Sequence, residues 1–353
     1  MFFPSQLQPT GIPYLTLELQ DDIMPSAPPP GNVLVTGVSG FSGVWIAHAL
    51  LANGYQVRGT VRNPKKGAHV AEPDAFDNAL DGSIAAVIHV AGVAELDATD
   101  ASDIFGPNRD GVVNLLNSTL KHGKNVKRFV YMSSAQALLG NDDIFHVYTE
   151  DDWAEKDLAL VQEKGSGAGG QALYRASKVL AERAIVDFVE THKMEIGWDA
   201  VRILPAWIFG PVIHDWKTID DLNLSSKVMY QQLTVPRDND KVNDYASEYI
   251  DVRDVADAFV AALQVEEAGG KRLLLDAGAY TYQNLYDAVN KVAPDLKGVV
   301  RGNPDAPPFA FPGAFVDSSR TVSLLRLKPF RSLGETATDT FRSIQTKLEG
   351  HAA

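Results

Sequence analysis

The chain has 353 residues, of which 45% are hydrophobic and 22% charged, an ordinary composition for a folded protein large enough to form two lobes. Its net charge of -13 disfavours nucleic acids and anionic membranes as partners, because their phosphates would be repelled at long range. The sequence contains no cysteine, which excludes disulfides, cysteine nucleophiles and thiolate-bound metals and fits a reducing compartment such as the cytosol.

The first 30 residues lack the basic start of a signal peptide and end in an acidic, proline-rich stretch. We predict a disordered or loosely packed extension over residues 1–30. No uncharged apolar run reaches the length of about 20 residues that a bilayer requires, so no membrane span is predicted.

From residue 32 onward, short apolar segments alternate with amphipathic helical segments, which is typical of parallel strands joined by helices. The main predicted strands are NVLVTG, YQVRGTV, AAVIHVAG and KRFVYMSS, and DAVRILPAWIFGP is predicted as a strand that runs into a proline-closed loop. The main predicted helices are SGVWIAHALLANG, GVVNLLNSTLKHG and ALYRASKVLAERAIVDFVETH. The order of these segments predicts an α/β Rossmann fold, a doubly wound parallel sheet with a smaller C-terminal substrate lobe.

The predicted domain boundaries follow the strength of this alternation. An NADP-binding Rossmann domain is expected over residues 31–210, with its core completed by about 247–265. Proline, aspartate and asparagine become more frequent after residue 210. A substrate-binding lobe is therefore expected over 211–246 and 266–353.

A glycine-rich turn, TGVSGFSG, stands between the first strand and the first helix. In a dinucleotide site the first glycine permits a tight turn, the second lets the backbone approach a pyrophosphate, and the third lets helix and strand pack closely. The helix N-terminus then stabilises the phosphate charge. The predicted cofactor contacts of this turn are Gly37, Ser39, Gly40, Phe41, Ser42 and Gly43.

The end of the second strand distinguishes the two nicotinamide cofactors. An acidic residue there would bind the ribose 2′-hydroxyl of NAD, whereas arginine accommodates the 2′-phosphate of NADP. This chain has Arg62 at that place, followed by Lys65 and Lys66. The alternative is that these are solvated loop cations. We predict NADPH as the cofactor, bound by Arg62 and Lys66.

A tyrosine and a lysine with catalytic spacing occur in the sequence YRASK. Tyr174 and Lys178 are four residues apart on a predicted helix and so share one face. An ammonium group near a phenol lowers its pKa and would let the tyrosine exchange a proton with a carbonyl or hydroxyl group. Ser133 and Ser134 end a predicted strand, at the sheet edge where this fold binds ligands.

These motifs, together with LPAWIFGP, resemble the extended short-chain dehydrogenase/reductase family. The segments GYQVRGTVRNP, TEDDW and AERAIVDFVE look like the branch of dihydroflavonol reductase, cinnamoyl-CoA reductase and the fungal aldehyde and ketone reductases. The resemblance implies that Tyr174 donates a proton, Ser134 orients the carbonyl, and Lys178 holds the nicotinamide ribose. It further implies cofactor contacts at Ala91, Gly92 and Pro205, and a 2′-phosphate contact at Arg62.

The chain departs from the family at two places. The family often has asparagine on the helix before SSA, and the matching position is taken to be Asp110. The stretch from Val61 to Val90 is also too short for the usual two helices and third strand. We predict a sheet without a third strand, in which a single helix over 73–80 makes the crossover.

The leading hypothesis is an NADPH-dependent reductase of an aldehyde or ketone, acting on a small carbonyl compound as a monomer or homodimer. A second enzyme hypothesis is an epimerase or a hydroxysteroid-type dehydrogenase. A third is an inactive or weakly active cofactor-binding relative that lacks the edge strand. An error in the gene model would also account for the short stretch from Val61 to Val90 and for the long N-terminal extension.

Overall fold

The structure is a computed structural model that describes residues 26–61, 74–94, 96, 98–139, 146–238, 241–243, 246–303, 305–306 and 316–352. Its strands are β1 (Asn32–Thr36), β2 (Gln56–Thr60), β3 (Ile84–His89), β4 (Arg128–Met132), β5 (Asp199–Pro205), β6 (Trp207–Phe209), β7 (Ala246–Asp251), β8 (Arg272–Leu275) and β9 (Gly278–Thr281). Its helices are α1 (Phe41–Ala52), α2 (Ala101–Phe105), α3 (Gly111–His122), α4 (Glu155–Lys164), α5 (Gly170–Thr191), α6 (Leu224–Thr234), α7 (Val252–Gln264), α8 (Tyr282–Val292), α9 (Ser319–Leu325) and α10 (Leu333–Ala352). None of the helices in these ranges is long and apolar enough to cross a membrane.

The larger sheet is parallel throughout, with the strand order β2-β1-β3-β4-β5-β8. Helices cover both of its faces because successive side chains of a strand point to opposite sides. In β1, Val33 and Val35 pack in the core cluster of α1 and α7, whereas Leu34 packs in that of α3 and α5. The predicted Rossmann fold is confirmed.

Strand β2 lies at the edge of this sheet, where it pairs with β1. Within the described residues no strand lies beyond β2. The stretch 62–73 lies outside the described residues. The predicted helix over 73–80 is wrong in its described part.

A turn followed by a single 3-10 turn, Asp77–Ala79, replaces that helix. Asp74 has a φ of 64°, a left-handed conformation that cannot belong to an α-helix. Phe76 and Leu80 are buried against the core of α3, and the Asp77 carboxylate accepts a hydrogen bond from the Ser118 hydroxyl at 2.5 Å. The path of this short crossover is therefore determined by tertiary contacts and not by the helical periodicity of its sequence.

The smaller sheet has the order β6-β7-β9, with β6 and β7 parallel and β7 and β9 antiparallel. Its core is shared with α6, α8 and α10. Two segments differ from the boundaries drawn on the sequence. Strand β7 belongs to this smaller sheet, and β8 completes the larger one. The chain passes between the lobes several times, so each lobe is built from separated segments.

A buried ion pair ties the larger sheet to the end of α7. Arg128 in β4 is fully buried and donates to both carboxylate oxygens of Asp199 in β5 at 2.7 Å. Its guanidinium also donates to the carbonyl oxygens of Ala262, Val265 and Glu266. These bonds offset the cost of burying the charge, and Asp199 is the partner that neutralises it.

We expect Asp199→Ala to lower the free energy of unfolding by about 3–5 kcal/mol, because Arg128 would remain buried without its counter-charge. Urea unfolding followed by circular dichroism measures the change. The matched control is Glu195→Ala, whose side chain is 62% exposed and which should change stability by no more than about 0.5 kcal/mol. A loss below about 1 kcal/mol in Asp199→Ala would contradict the importance of this pair.

Candidate active site

The glycine turn between β1 and α1 leaves almost no space for side chains. Gly37 has a φ of 67°, and a Cβ there would lie 3.0 Å from the backbone of Ala91. A Cβ on Gly43 would lie 2.1 Å from the carbonyl oxygen of Gly37. Position 37 therefore needs glycine for its left-handed backbone, and position 43 needs it so that α1 can approach β1.

The N-terminus of α1 faces the same turn. Gly40 precedes the helix, so no side chain caps it, and the first turn contains no acidic residue. The unpaired N–H groups and the positive end of the helix dipole favour an anion at this position.

A cleft of about 990 Å³ begins at this turn, passes the carboxyl ends of the larger sheet and reaches the smaller lobe. Every predicted site residue that the structure describes lines it. These residues are Gly37, Ser39, Gly40, Phe41, Ser42, Gly43, Ala91, Gly92, Ser134, Tyr174, Lys178 and Pro205. The other predicted contacts, Arg62, Lys65 and Lys66, lie outside the described residues.

Ser134 and Tyr174 both line the cleft, close enough for the Ser134 hydroxyl to lower the pKa of Tyr174. Ser134 follows β4, and Tyr174 comes from α5. The neighbouring Ser133 has a different partner, since its hydroxyl donates to the buried carboxylate of Glu182 at 2.6 Å. Of the two serines at the end of this strand, Ser134 is therefore the one that can act together with Tyr174.

Lys178 lies one helical turn after Tyr174 and is buried. Its ammonium group donates to the Tyr131 hydroxyl and to the Met132 carbonyl oxygen, each at 3.3 Å. Burial lowers the pKa of Lys178 to about 8, and the negative charge of Glu182 opposes that change. The lysine is thus charged at neutral pH but close to losing its proton.

The protonation of Tyr174 differs from the sequence-based expectation. Burial raises the pKa of Tyr174, and its hydrogen bond with Ser134 is the contribution that lowers it. The expected lowering by Lys178 is not found in this structure. Desolvation of the phenolate is the larger effect, so Tyr174 stays protonated at neutral pH.

Asn108 lies beside the site, although no motif in the sequence marked it. Residues Gly106–Asp110 form a π-turn, and Asn108 within it is buried. Its side chain accepts from the Val93 N–H at 2.9 Å and donates to the Ser177 hydroxyl at 3.1 Å. Asp110 pairs with Arg109 at the surface, and its correspondence with the asparagine of the family stays a prediction.

His89 also lines the cleft, and no motif in the sequence marked it. The Thr36 hydroxyl accepts from the N–H groups of Val90 and Ala91, so its own hydrogen is directed at His89 Nδ1, 2.7 Å away. Burial lowers the pKa of His89 to about 3, which keeps the ring neutral with its proton on Nε2. His89 holds the ends of β1 and β3 together and supplies no charge.

The model of the NAD dependent epimerase/dehydratase family matches residues 33–276. The chain is 30% identical over 347 residues to the NADPH-dependent methylglyoxal reductase GRE2 of Saccharomyces cerevisiae, covering 90% of this chain and 99% of that protein. It is 31% identical over 291 residues to the ketoreductase azaE of Aspergillus niger, covering 75% and 83%. The crystal structure of Gre2 from Candida albicans in complex with NADPH is similar, with a TM-score of 0.76 and 29% identity over 90% of this chain and 99% of that one.

We expect Gly43→Ala to destabilise the protein by about 1–3 kcal/mol, because the new methyl group would meet the Gly37 carbonyl in a backbone that cannot yield without opening the turn. Thermal unfolding measures the effect. Gly197→Ala is the matched control, since a Cβ there meets no atom within 4 Å. Equal melting temperatures for the two variants would show that the turn is not tightly packed.

Proposed function

The chain belongs to the NAD dependent epimerase/dehydratase family, and we propose that it acts as an NADPH-dependent reductase that converts an aldehyde or ketone to the alcohol. The observation that carries this proposal is the meeting of Ser134, Tyr174 and Lys178 in the cleft that the glycine turn opens. The printed names of the relatives, an NADPH-dependent methylglyoxal reductase and a ketoreductase, support the same chemistry.

The residues of the cleft fit a dinucleotide. The glycine turn and the N-terminus of α1 would hold the diphosphate, with Ser39, Phe41 and Ser42 around it. A Cβ on Gly92 would lie 2.9 Å from Asn108 Oδ1 and 3.6 Å from Lys178 Nζ, so glycine keeps the space beside the lysine open. Ala91, Gly92 and Lys178 would hold the nicotinamide ribose there, and Pro205 would lie against the ring.

The phosphorylated cofactor is proposed on the sequence, in which Arg62 follows the second strand, and on the names of the relatives. Lys66 would assist Arg62 at the 2′-phosphate. When bound, the reduced nicotinamide supplies the hydride that reduces the carbonyl carbon.

Tyr174 would donate the proton that the carbonyl oxygen receives. A donor must be protonated before the reaction, and the raised pKa of Tyr174 keeps it so. Ser134 would turn its single O–H from Tyr174 to the same carbonyl oxygen and orient it. The products are the alcohol, the oxidised cofactor and a tyrosinate, and the tyrosinate becomes a phenol again by taking a proton from solvent water.

Lys178 would contribute a positive charge in a water-poor setting. Its Nζ lies 5.8 Å from the centre of the Tyr174 ring, so the ribose that it would hold lies beside the proton donor. Asn108 would secure this arrangement from behind, because it links the backbone of Val93 to Ser177 in the helix of Tyr174 and Lys178.

Replacing Tyr174 with phenylalanine tests the proposal. We expect kcat/KM for carbonyl reduction to fall by about 100-fold or more, since the proton donor is lost, while the Kd for NADPH changes by less than about twofold. Consumption of NADPH with an equal amount of alcohol formed measures the reaction and separates a reductase from an epimerase, which consumes no cofactor.

Tyr55→Phe is the matched control for that experiment. Its hydroxyl donates to the Ala27 carbonyl at 2.8 Å, away from the cleft, so its loss should leave kcat/KM unchanged. Wild-type turnover in Tyr174→Phe would defeat the mechanism. A wild-type protein that binds NADPH but reduces no carbonyl compound would favour the inactive relative.

The pKa of Lys178 predicts a pH dependence of cofactor binding. Because burial lowers this pKa to about 8, the ammonium group is present below that pH and is lost above it. The affinity of the free protein for NADPH should therefore decrease as the pH rises through 8. Fluorescence titration measures the Kd. Lys178→Met should bind more weakly and show no such decrease, and an identical pH profile in both proteins would contradict the assignment.

A further inference from the structure

One carboxylate lines the cleft in the part of the chain that the structure describes. Glu248 and Lys178 are the only residues of that wall with charged side chains, and no arginine is among them. Glu248 lies in β7 of the smaller lobe, where it pairs with Ala279 of β9. Neither the sequence motifs nor the proposed mechanism accounts for it.

Glu248 lines the same cleft as Ser134 and Tyr174, on the side that the smaller lobe contributes. Its charge interacts with that of Arg175, the residue after Tyr174. Arg175 lies behind the wall, where its guanidinium donates to Gln136 at 2.8 Å and pairs with Asp157 at 3.2 Å. Gln136 itself lines the cleft two residues after Ser134.

Little else in this part of the wall could compensate a negative charge on a substrate. The other wall residues contributed by the smaller lobe are neutral, namely Trp207, Ile208, Asn223, Leu224, Ser225, Ala246 and Ser247. Arg175 is already paired with a carboxylate, and Lys178 is directed at Tyr131 and Met132. An anionic group beside Glu248 would lose its hydration without gaining a counter-charge.

We infer that Glu248 sets the charge preference of the site, which accepts neutral carbonyl compounds and those that carry an ammonium group and rejects anionic ones such as 2-oxo acids. This inference rests on the proposed function, because it takes the cleft to be the carbonyl site. The mechanism is discrimination by like-charge repulsion in a partly dry cleft.

Two neighbours determine the charge of Glu248 itself. Burial raises the pKa of Glu248, and the positive charge of Arg175 opposes the rise. Burial also raises the pKa of Asp276 to about 7, and the charge of Glu248 adds to that effect. Binding should therefore be measured at a pH above the pKa values of both carboxyl groups.

Three probes of matched shape test the inference, namely isovaleramide, isovalerate and isopentylammonium, which are neutral, negative and positive. Calorimetry would measure their binding to protein saturated with NADPH, whose reduced nicotinamide ring is uncharged and which reduces none of the three probes. We expect isovalerate to bind wild-type protein about tenfold more weakly than the amide, and isopentylammonium to bind at least as tightly. In Glu248→Gln, isovalerate should recover to within about threefold of the amide and isopentylammonium should weaken.

Two further variants separate a local effect from a general one. Glu248→Asp retains the charge and should keep the wild-type order. Glu195→Gln removes an exposed charge far from the cleft wall and should also keep it, which separates Glu248 from the net charge of -13.

The outcomes distinguish this inference from the proposed function. If the probes bind in the expected order but the protein reduces no carbonyl compound, the role of Glu248 is upheld and the proposed reductase function is contradicted. Equal binding of amide and carboxylate, an unchanged ratio in Glu248→Gln, or no binding of any probe would overturn the inference even in an active reductase.

Discussion

The backbones of Gly37 and Ala91 approach so closely that no side chain fits at position 37, and the geometry of the cleft depends on this contact. Thr36 secures it by accepting N–H bonds from Val90 and Ala91 while it donates to the buried, neutral His89. These bonds therefore fix the carboxyl ends of β1 and β3 side by side at the same edge of the sheet. The glycine turn and the segment from Ala91 to Gly92 consequently form a continuous wall of the cleft. This fold binds its ligands at the carboxyl ends of its strands, where that wall lies.

Burial on α5 then determines the protonation of Tyr174 and Lys178. The same loss of hydration raises the pKa of Tyr174 and lowers that of Lys178, because it penalises whichever form is charged. Glu182, one turn further along the helix, is fully buried and accepts bonds from Ser133 and Arg272. Its charge partly offsets the effect of burial on the pKa of Lys178. A protonated tyrosine near a charged lysine is the state that the proposed mechanism requires.

The substrate end of the cleft is assembled from segments that are far apart in the sequence. After β5 the chain leaves the larger sheet and forms β6 and then β7, which both belong to the smaller sheet. It completes the larger sheet only afterwards, with β8. This exchange brings Glu248 of β7 within electrostatic range of Arg175 on α5. Specificity can therefore change through the smaller lobe without disturbing the turn or the helix that carries Tyr174.

The sequence by itself determined the features that depend on local spacing. The glycine spacing at 37, 40 and 43, the four-residue separation of Tyr174 and Lys178, and the alternation of strands and helices are local patterns, and the first two lie together in the cleft as expected. Tertiary structure decided the rest. Packing of Phe76 and Leu80 replaced a helix with a 3-10 turn, and strand exchange moved β7 and β8 between lobes. His89 and Glu248 could be identified only from the folded structure. Burial and contacts between distant segments shift the pKa values of both residues, and neither effect leaves a periodic pattern in the sequence.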